Sequence, residues 1–156
     1  MLSFFTNKKP KKSPRPNYNA KLIKGFEKDH EKLVKQLLLI KKYTEKEQSK
    51  KAKQALKKFK IELLAHFMEE DIHLYWYLKH LYKENPEKLQ TIHTFEESIK
   101  KIQKEVVNFI NYYTKEEILF DMVFHKEFQG IIEALSSRIE TEEKALYTLY
   151  TQEKSA

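Results

Sequence analysis

Leu63 to Leu78 reads LLAHFMEEDIHLYWYL and sets His66 and Glu70 one helical turn apart in the middle of an apolar seam. The seam extends both ways as Leu56, Phe59, Leu63, His66, Glu70, His73, Tyr77 and His80, each step being three or four residues, which is the repeat of one helix face. An ionised glutamate on such a face costs several kcal/mol unless it is paired or bound to a cation. The fold must therefore supply Glu70 with a partner.

Three other stretches carry stripes of the same period. Ile23, Phe26, His30, Leu33, Leu37 and Ile40 predict a first helix over about Tyr18 to Tyr43, with His30 facing the core. The His66 helix runs from about Gln48 to Tyr82 and stops at the Asn85–Pro86 turn. Ile92, Phe95, Ile99, Ile102, Val106, Phe109 and Tyr113 define a third helix over Pro86 to Tyr113, with His93 well to the side of its stripe. A fourth starts between Lys115 and Asp121 and reaches about Thr151. Two overlapping seams run through it, one by Phe124, Phe128, Ile131, Leu135, Arg138, Glu142, Ala145 and Leu149, the other by Ile132, Ile139, Glu142 and Leu146. Glu142 belongs to both seams, and Glu143 falls at the edge.

Glycine occurs only twice, which fits long helices better than a turn-rich β architecture. Four amphipathic helices on short connections bury their stripes together most simply as an antiparallel up-down-up-down four-helix bundle, so the fold class is all-α, with the bundle over residues 18–152. No internal repeat or second domain is apparent. Trp76, between Tyr75 and Tyr77, reads as a groove filler, since three consecutive helical positions point in different directions and cannot form one stacking platform.

The net charge of +7 is concentrated at one end. Lys8, Lys9, Lys11, Lys12 and Arg15 lie within residues 1–16 with no acid among them, leaving the rest of the chain at only +2. Three of the four prolines interrupt the same stretch, so residues 1–17 read as a disordered basic arm. Two readings of the arm stay open: a tether to nucleic acid or another anionic surface, and a solubilising tail. No stretch is long or apolar enough to span a bilayer, and MLSFF does not have the order of a secretory signal, so the expected compartment is cytoplasmic.

Cysteine is absent, which removes disulfides, thiolate metal sites and thiol nucleophiles. A metal would have to be held by imidazoles and carboxylates, a donor set suited to iron, manganese or zinc inside a helical bundle. His30, His66, Glu70 and Glu142, from three helices, are the candidate ligands. No Gly-rich phosphate loop is present and no catalytic cleft can be inferred, so a binding protein is expected rather than an enzyme.

DHEKL at Asp29 to Leu33, LLAHFMEEDIHLYWYL, and SRIETEEKALYTLY at Ser137 to Tyr150 resemble the motifs of bacterial hemerythrin-like (HHE cation-binding) domains. The most specific parts are HFxxED followed by LY and the parallel RIxxEExxLY in the fourth helix. The resemblance covers about Ala20 to Tyr150. It implies a four-helix bundle holding non-haem iron, often as a di-iron centre, that binds oxygen-type ligands or senses oxygen, redox state or iron. Carried over, the family's ligands fall on His30, His66, Glu70, and Glu142 or Glu143, of which the seam favours Glu142.

Two positions depart from that pattern. The fourth-helix histidine expected before the carboxylate is Arg138, whose guanidinium cannot ligate a metal. The third helix offers only His93, off the stripe and roughly 10 to 15 Å too near the Asn85 turn. The expected site is thus incomplete. Arg138 also allows an alternative, in which its guanidinium neutralises Glu142 and, across the core, Glu70, giving a metal-free interaction protein. The run EFQGIIEALSSRIETEEKAL, with AHF in the second helix, additionally resembles bacterial anti-sigma regulators, which would make the partner a transcription protein.

Overall fold

The computed structural model describes residues 16–154, and among these all regular structure is helical. The basic arm expected over residues 1–17 lies outside this range except for Pro16 and Asn17. The first helix is α1 (Leu22–Glu45). The second is α2 (Ser49–Glu69), which runs on through a π-helical segment (Glu70–Tyr75) into α3 (Trp76–Leu81). The third is α4 (Pro86–Tyr113). The fourth is α5 (Met122–Thr141), continued by a π-helical segment (Glu142–Leu146) and a 3₁₀ turn (Tyr147–Leu149). Consecutive helices run antiparallel, so the chain forms the four-helix bundle that its stripes require.

Local chemistry sets the ends. α1 starts later than the expected Tyr18, because Asn19 Oδ1 accepts from Lys21 N (2.9 Å) while Asn19 N donates to Tyr150 Oη (2.8 Å), holding this stretch in a turn against the C-terminal end. Asn85 caps α4 by accepting from Lys88 N (3.1 Å), and Pro86 takes the first helical position, where its missing N–H costs nothing. Asp121 caps α5 through Phe124 N (3.0 Å). Between these caps Lys53 Nζ donates to the carbonyls of Glu116 and Ile118, tying the α4–α5 connection to the second helix.

The core is one continuous cluster. Phe26, Leu33, Leu37 and Ile40 meet Leu56, Phe59 and Leu63 from the second helix, Ile92, Ile99, Val106 and Phe109 from α4, and Phe124, Phe128 and Leu135 from α5. No helix among the described residues is long and apolar enough to cross a membrane.

The π-helical segments correct the seams drawn from the sequence. A π turn adds one residue to the repeat and rotates the face that follows. After Glu70 the buried residues are Leu74, Tyr75, Tyr77 and Leu78, whereas His73, placed inward at constant period, is exposed and His80 only half-buried. Trp76 is not a groove filler, since 46% of its surface is exposed. After Glu142 the same shift buries Leu146, Tyr147 and Tyr150 and turns Ala145 outward.

Candidate metal centre

His30 lies midway along α1, on the stripe that also carries Phe26 and Leu33, so packing against α2 drives its imidazole into the bundle. His66 is in the last turn of α2, and Glu70 opens the π-helical segment one turn later. Glu142 opens the second such segment. The structure brings these four residues together: each is 4% exposed or less, and each offers a ligand atom within 4.8 Å of all the others.

The imidazoles meet through their Nε2 atoms, 3.1 Å apart. His30 Nε2 also lies 3.2 Å from Glu142 Oε2, and His66 Nε2 lies 3.4 Å from Glu70 Oε1. On the outer side, His30 Nδ1 sits 2.9 Å from Glu143 Oε1 and His66 Nδ1 sits 3.4 Å from Asp29 Oδ2. A carboxylate behind each Nδ1 favours the tautomer that carries its proton there, which turns both Nε2 lone pairs towards each other. Two lone pairs at that distance repel unless a proton or a cation lies between them. Glu143 thus takes the edge position expected of it and engages His30 from behind.

Each carboxylate has a different partner. Tyr147 Oη donates to Glu70 Oε1 at 2.6 Å and lies 3.2 Å from His30 Nε2. Glu70 Oε2 is buried and has no hydrogen-bond partner among the described residues. Arg138 Nε donates to Glu142 Oε1 at 2.8 Å, while its Nη2 donates to Tyr75 Oη (3.0 Å) and to the Phe95 carbonyl (2.7 Å). The guanidinium also stacks over the Phe95 ring, 4.7 Å from its centre. The expectation that Arg138 would serve both carboxylates therefore fails. Its Nε and Nη2 donate to Glu142, Tyr75 and Phe95, and Glu70 is left to Tyr147 and His66.

Charge balance explains the titration behaviour. Two carboxylates and one guanidinium leave one negative charge in the core. Burial by itself would lower the His30 pKa, but hydrogen bonds to Glu142 and Glu143 and the charges of Glu142 and Glu70 outweigh it and hold the imidazole above its ordinary value. Burial opposes protonation of His66 too, and the hydrogen bond and charge of Glu70 overcome it, giving a raised pKa despite the neighbouring His30. The Tyr147 phenol is pushed far above its usual range by burial and then by Glu70 and Glu142, so it acts as a donor. A site that holds extra protons on imidazoles to balance carboxylates is one that a divalent cation can occupy in their place.

The donor set thus fits a metal ion: two inward Nε2 atoms, two inward carboxylates, one buried carboxylate oxygen without a hydrogen-bond partner among the described residues, and a carboxylate behind each imidazole. A cavity of about 20 Å³ adjoins it, walled by Leu37, Phe59, Leu63, Ile99 and Leu135. His93 stays apart on the surface, half-exposed beside Glu96 at 3.7 Å. Tyr75, Tyr147 and Asp29 are contributors that seam reasoning missed. The available signal was the tyrosine five residues after each core glutamate, in EDIHLY and EEKALY, because five is the π-helical spacing.

Comparison with curated proteins gave no match, and comparison with solved structures gave none. Comparison with protein families matched the hemerythrin HHE cation-binding domain over residues 21–150, which takes in all four helices and the whole of the donor cluster. The chain therefore belongs to the hemerythrin HHE cation-binding family.

Proposed function

We propose that the bundle core binds non-haem iron, or a similar divalent ion, through His30, His66, Glu70 and Glu142, and that the protein binds or senses an oxygen-type ligand, redox state or iron rather than catalysing a reaction. The observation that carries this reading is the pair of Nε2 atoms 3.1 Å apart, each on a ring whose Nδ1 already faces a carboxylate.

Iron in such a site supplies reversible coordination of small oxygen-type ligands and a one-electron redox couple. The residues around it do the rest. Glu143 and Asp29 orient the imidazoles. Leu37, Phe59 and Leu63 keep the adjoining cavity apolar, and its 20 Å³ accommodates one water-sized molecule and no organic substrate. A groove between α1 and α2, lined by Asp29, Lys32, Glu62 and Glu69, reaches His66 from the surface.

The test is metal analysis of protein loaded with ferrous iron under anaerobic conditions. Wild type should retain iron through desalting, and His66→Ala should lose it. A wild-type content near zero, unchanged by the substitution, would overturn the reading.

A further inference from the structure

The two halves of the site follow one pattern. His66, Glu70 and Tyr75 stand at spacings of four and five on the second helix, and Arg138, Glu142 and Tyr147 stand at the same spacings on the fourth. Each glutamate opens a π-helical segment. Each tyrosine crosses to the other half, Tyr147 to Glu70 and Tyr75 to Arg138. Arg138 therefore stands in the fourth helix where an imidazole stands in the second.

We propose that the centre holds one metal ion per chain, and that the Arg138 guanidinium is a built-in second cation on the far side of Glu142. This rests on the metal-binding reading above and specifies its stoichiometry. Glu142 has one oxygen on each side: Oε2 faces His30 at 3.2 Å, and Oε1 takes the Arg138 Nε proton at 2.8 Å. A carboxylate placed this way bridges two positive centres, and one of them is already the guanidinium. Nor can that group swing aside. It is 8% exposed, pinned by Tyr75 and the Phe95 carbonyl, and stacked on the Phe95 ring. A second ion would have to sit against a fixed positive charge on a carboxylate oxygen that is already committed.

The remaining wall offers no replacement ligands. At this depth α4 presents Phe95 and Ile99, and its one histidine, His93, is on the surface. On the near side of Glu142 the donors of His30, His66, Glu142 and Glu70 lie within 4.8 Å of one another, and Glu70 Oε2 is buried without a hydrogen-bond partner among the described residues. One ion engages that whole set and supplies the positive charge that Arg138 alone does not provide for the two carboxylates.

The experiment is to load the full chain anaerobically with excess ferrous iron, desalt it, measure iron per chain, oxidise with ferricyanide, and record the low-temperature electron paramagnetic resonance spectrum. One iron per chain with an isolated high-spin ferric signal is expected. Two per chain, with the signal suppressed by coupling, would overturn the single-ion assignment and leave the metal site standing; none bound would overturn both. Arg138→Lys, checked for helicity by circular dichroism, keeps a cation beside Glu142 and should stay at one iron per chain; a folded Arg138→Lys protein that takes up two would overturn the role given to the guanidinium, and if that variant does not fold the wild-type stoichiometry and spectrum decide.

Discussion

Tyr147 Oη donates to Glu70 Oε1 across 2.6 Å, joining the last turn of the fourth helix to the π-helical segment of the second, 77 residues away in the chain. The same hydroxyl lies 3.2 Å from His30 Nε2, and the Tyr147 ring stacks parallel to the His30 imidazole at 5.7 Å. One phenol thus joins three of the bundle's helices at the donor cluster. Replacing it with phenylalanine keeps the stacking and deletes the donor. Tyr147→Phe should destabilise the metal-free protein by about 1–3 kcal/mol, because Glu70 loses the hydroxyl that donates to it in a buried site. Urea unfolding measures this, and a midpoint equal to that of wild type would refute the role.

Arg138→Ala should be the most damaging single change in the core. It leaves the buried Glu142 without its guanidinium, removes the donor to the Phe95 carbonyl, and empties the space over the Phe95 ring. Losing one partner of a buried charge pair costs about 3–5 kcal/mol. A loss below about 1 kcal/mol in the same unfolding assay would show that the pair is not what holds Glu142.

Stability of the metal-free protein should depend on pH in a defined direction. His30 and His66 both have raised pKa values in the fold, held there against burial by Glu142, Glu143 and Glu70. Their protonated forms therefore contribute stability that is fully present below the unfolded-state value of about 6.5 and is lost as pH rises through the higher folded-state values. The thermal midpoint should fall across that window, and His66→Gln should flatten the fall. A wild-type midpoint that rises with pH over the same range would contradict the charge balance described for the site.

Metal should act in the opposite sense, since a cation and protons compete for the same imidazoles. Divalent metal at about 100 times its Kd should add about 2.7 kcal/mol, raising the melting temperature by roughly 5–11 °C for a domain of this size. The gain should grow with pH and vanish with a chelator. Differential scanning fluorimetry of wild type beside Glu70→Ala, which removes one carboxylate ligand, separates site binding from adsorption: an equal gain in both would assign the ion elsewhere.

His93→Ala provides the contrast. His93 is half-exposed and lies 3.7 Å from Glu96, so its removal should change stability by no more than about 0.5 kcal/mol and leave the metal content as it was. Lost metal in this variant would place a ligand on α4.

The sequence by itself determined the helices and the inward direction of the four donors. Spacings of three and four carry His30 with Leu33 and Leu37, His66 with Leu63, and Glu142 with Leu135, because burying an apolar stripe forces any polar residue on that stripe inward as well. This period is a local property, and it held until the backbone changed register at Glu70 and again at Glu142. There His73 turned out and Tyr75 turned in, since a π turn inserts one residue into the repeat and rotates the face that follows. Only the tertiary structure decided the partners. Asp29 behind His66, Glu143 behind His30, Tyr147 on Glu70, and Arg138 on Glu142, Tyr75 and Phe95 depend on how the packed helices are rotated and staggered. A one-residue shift between helices would have exchanged these contacts while leaving every stripe intact, and for that reason the role of Arg138 had to be found across the core.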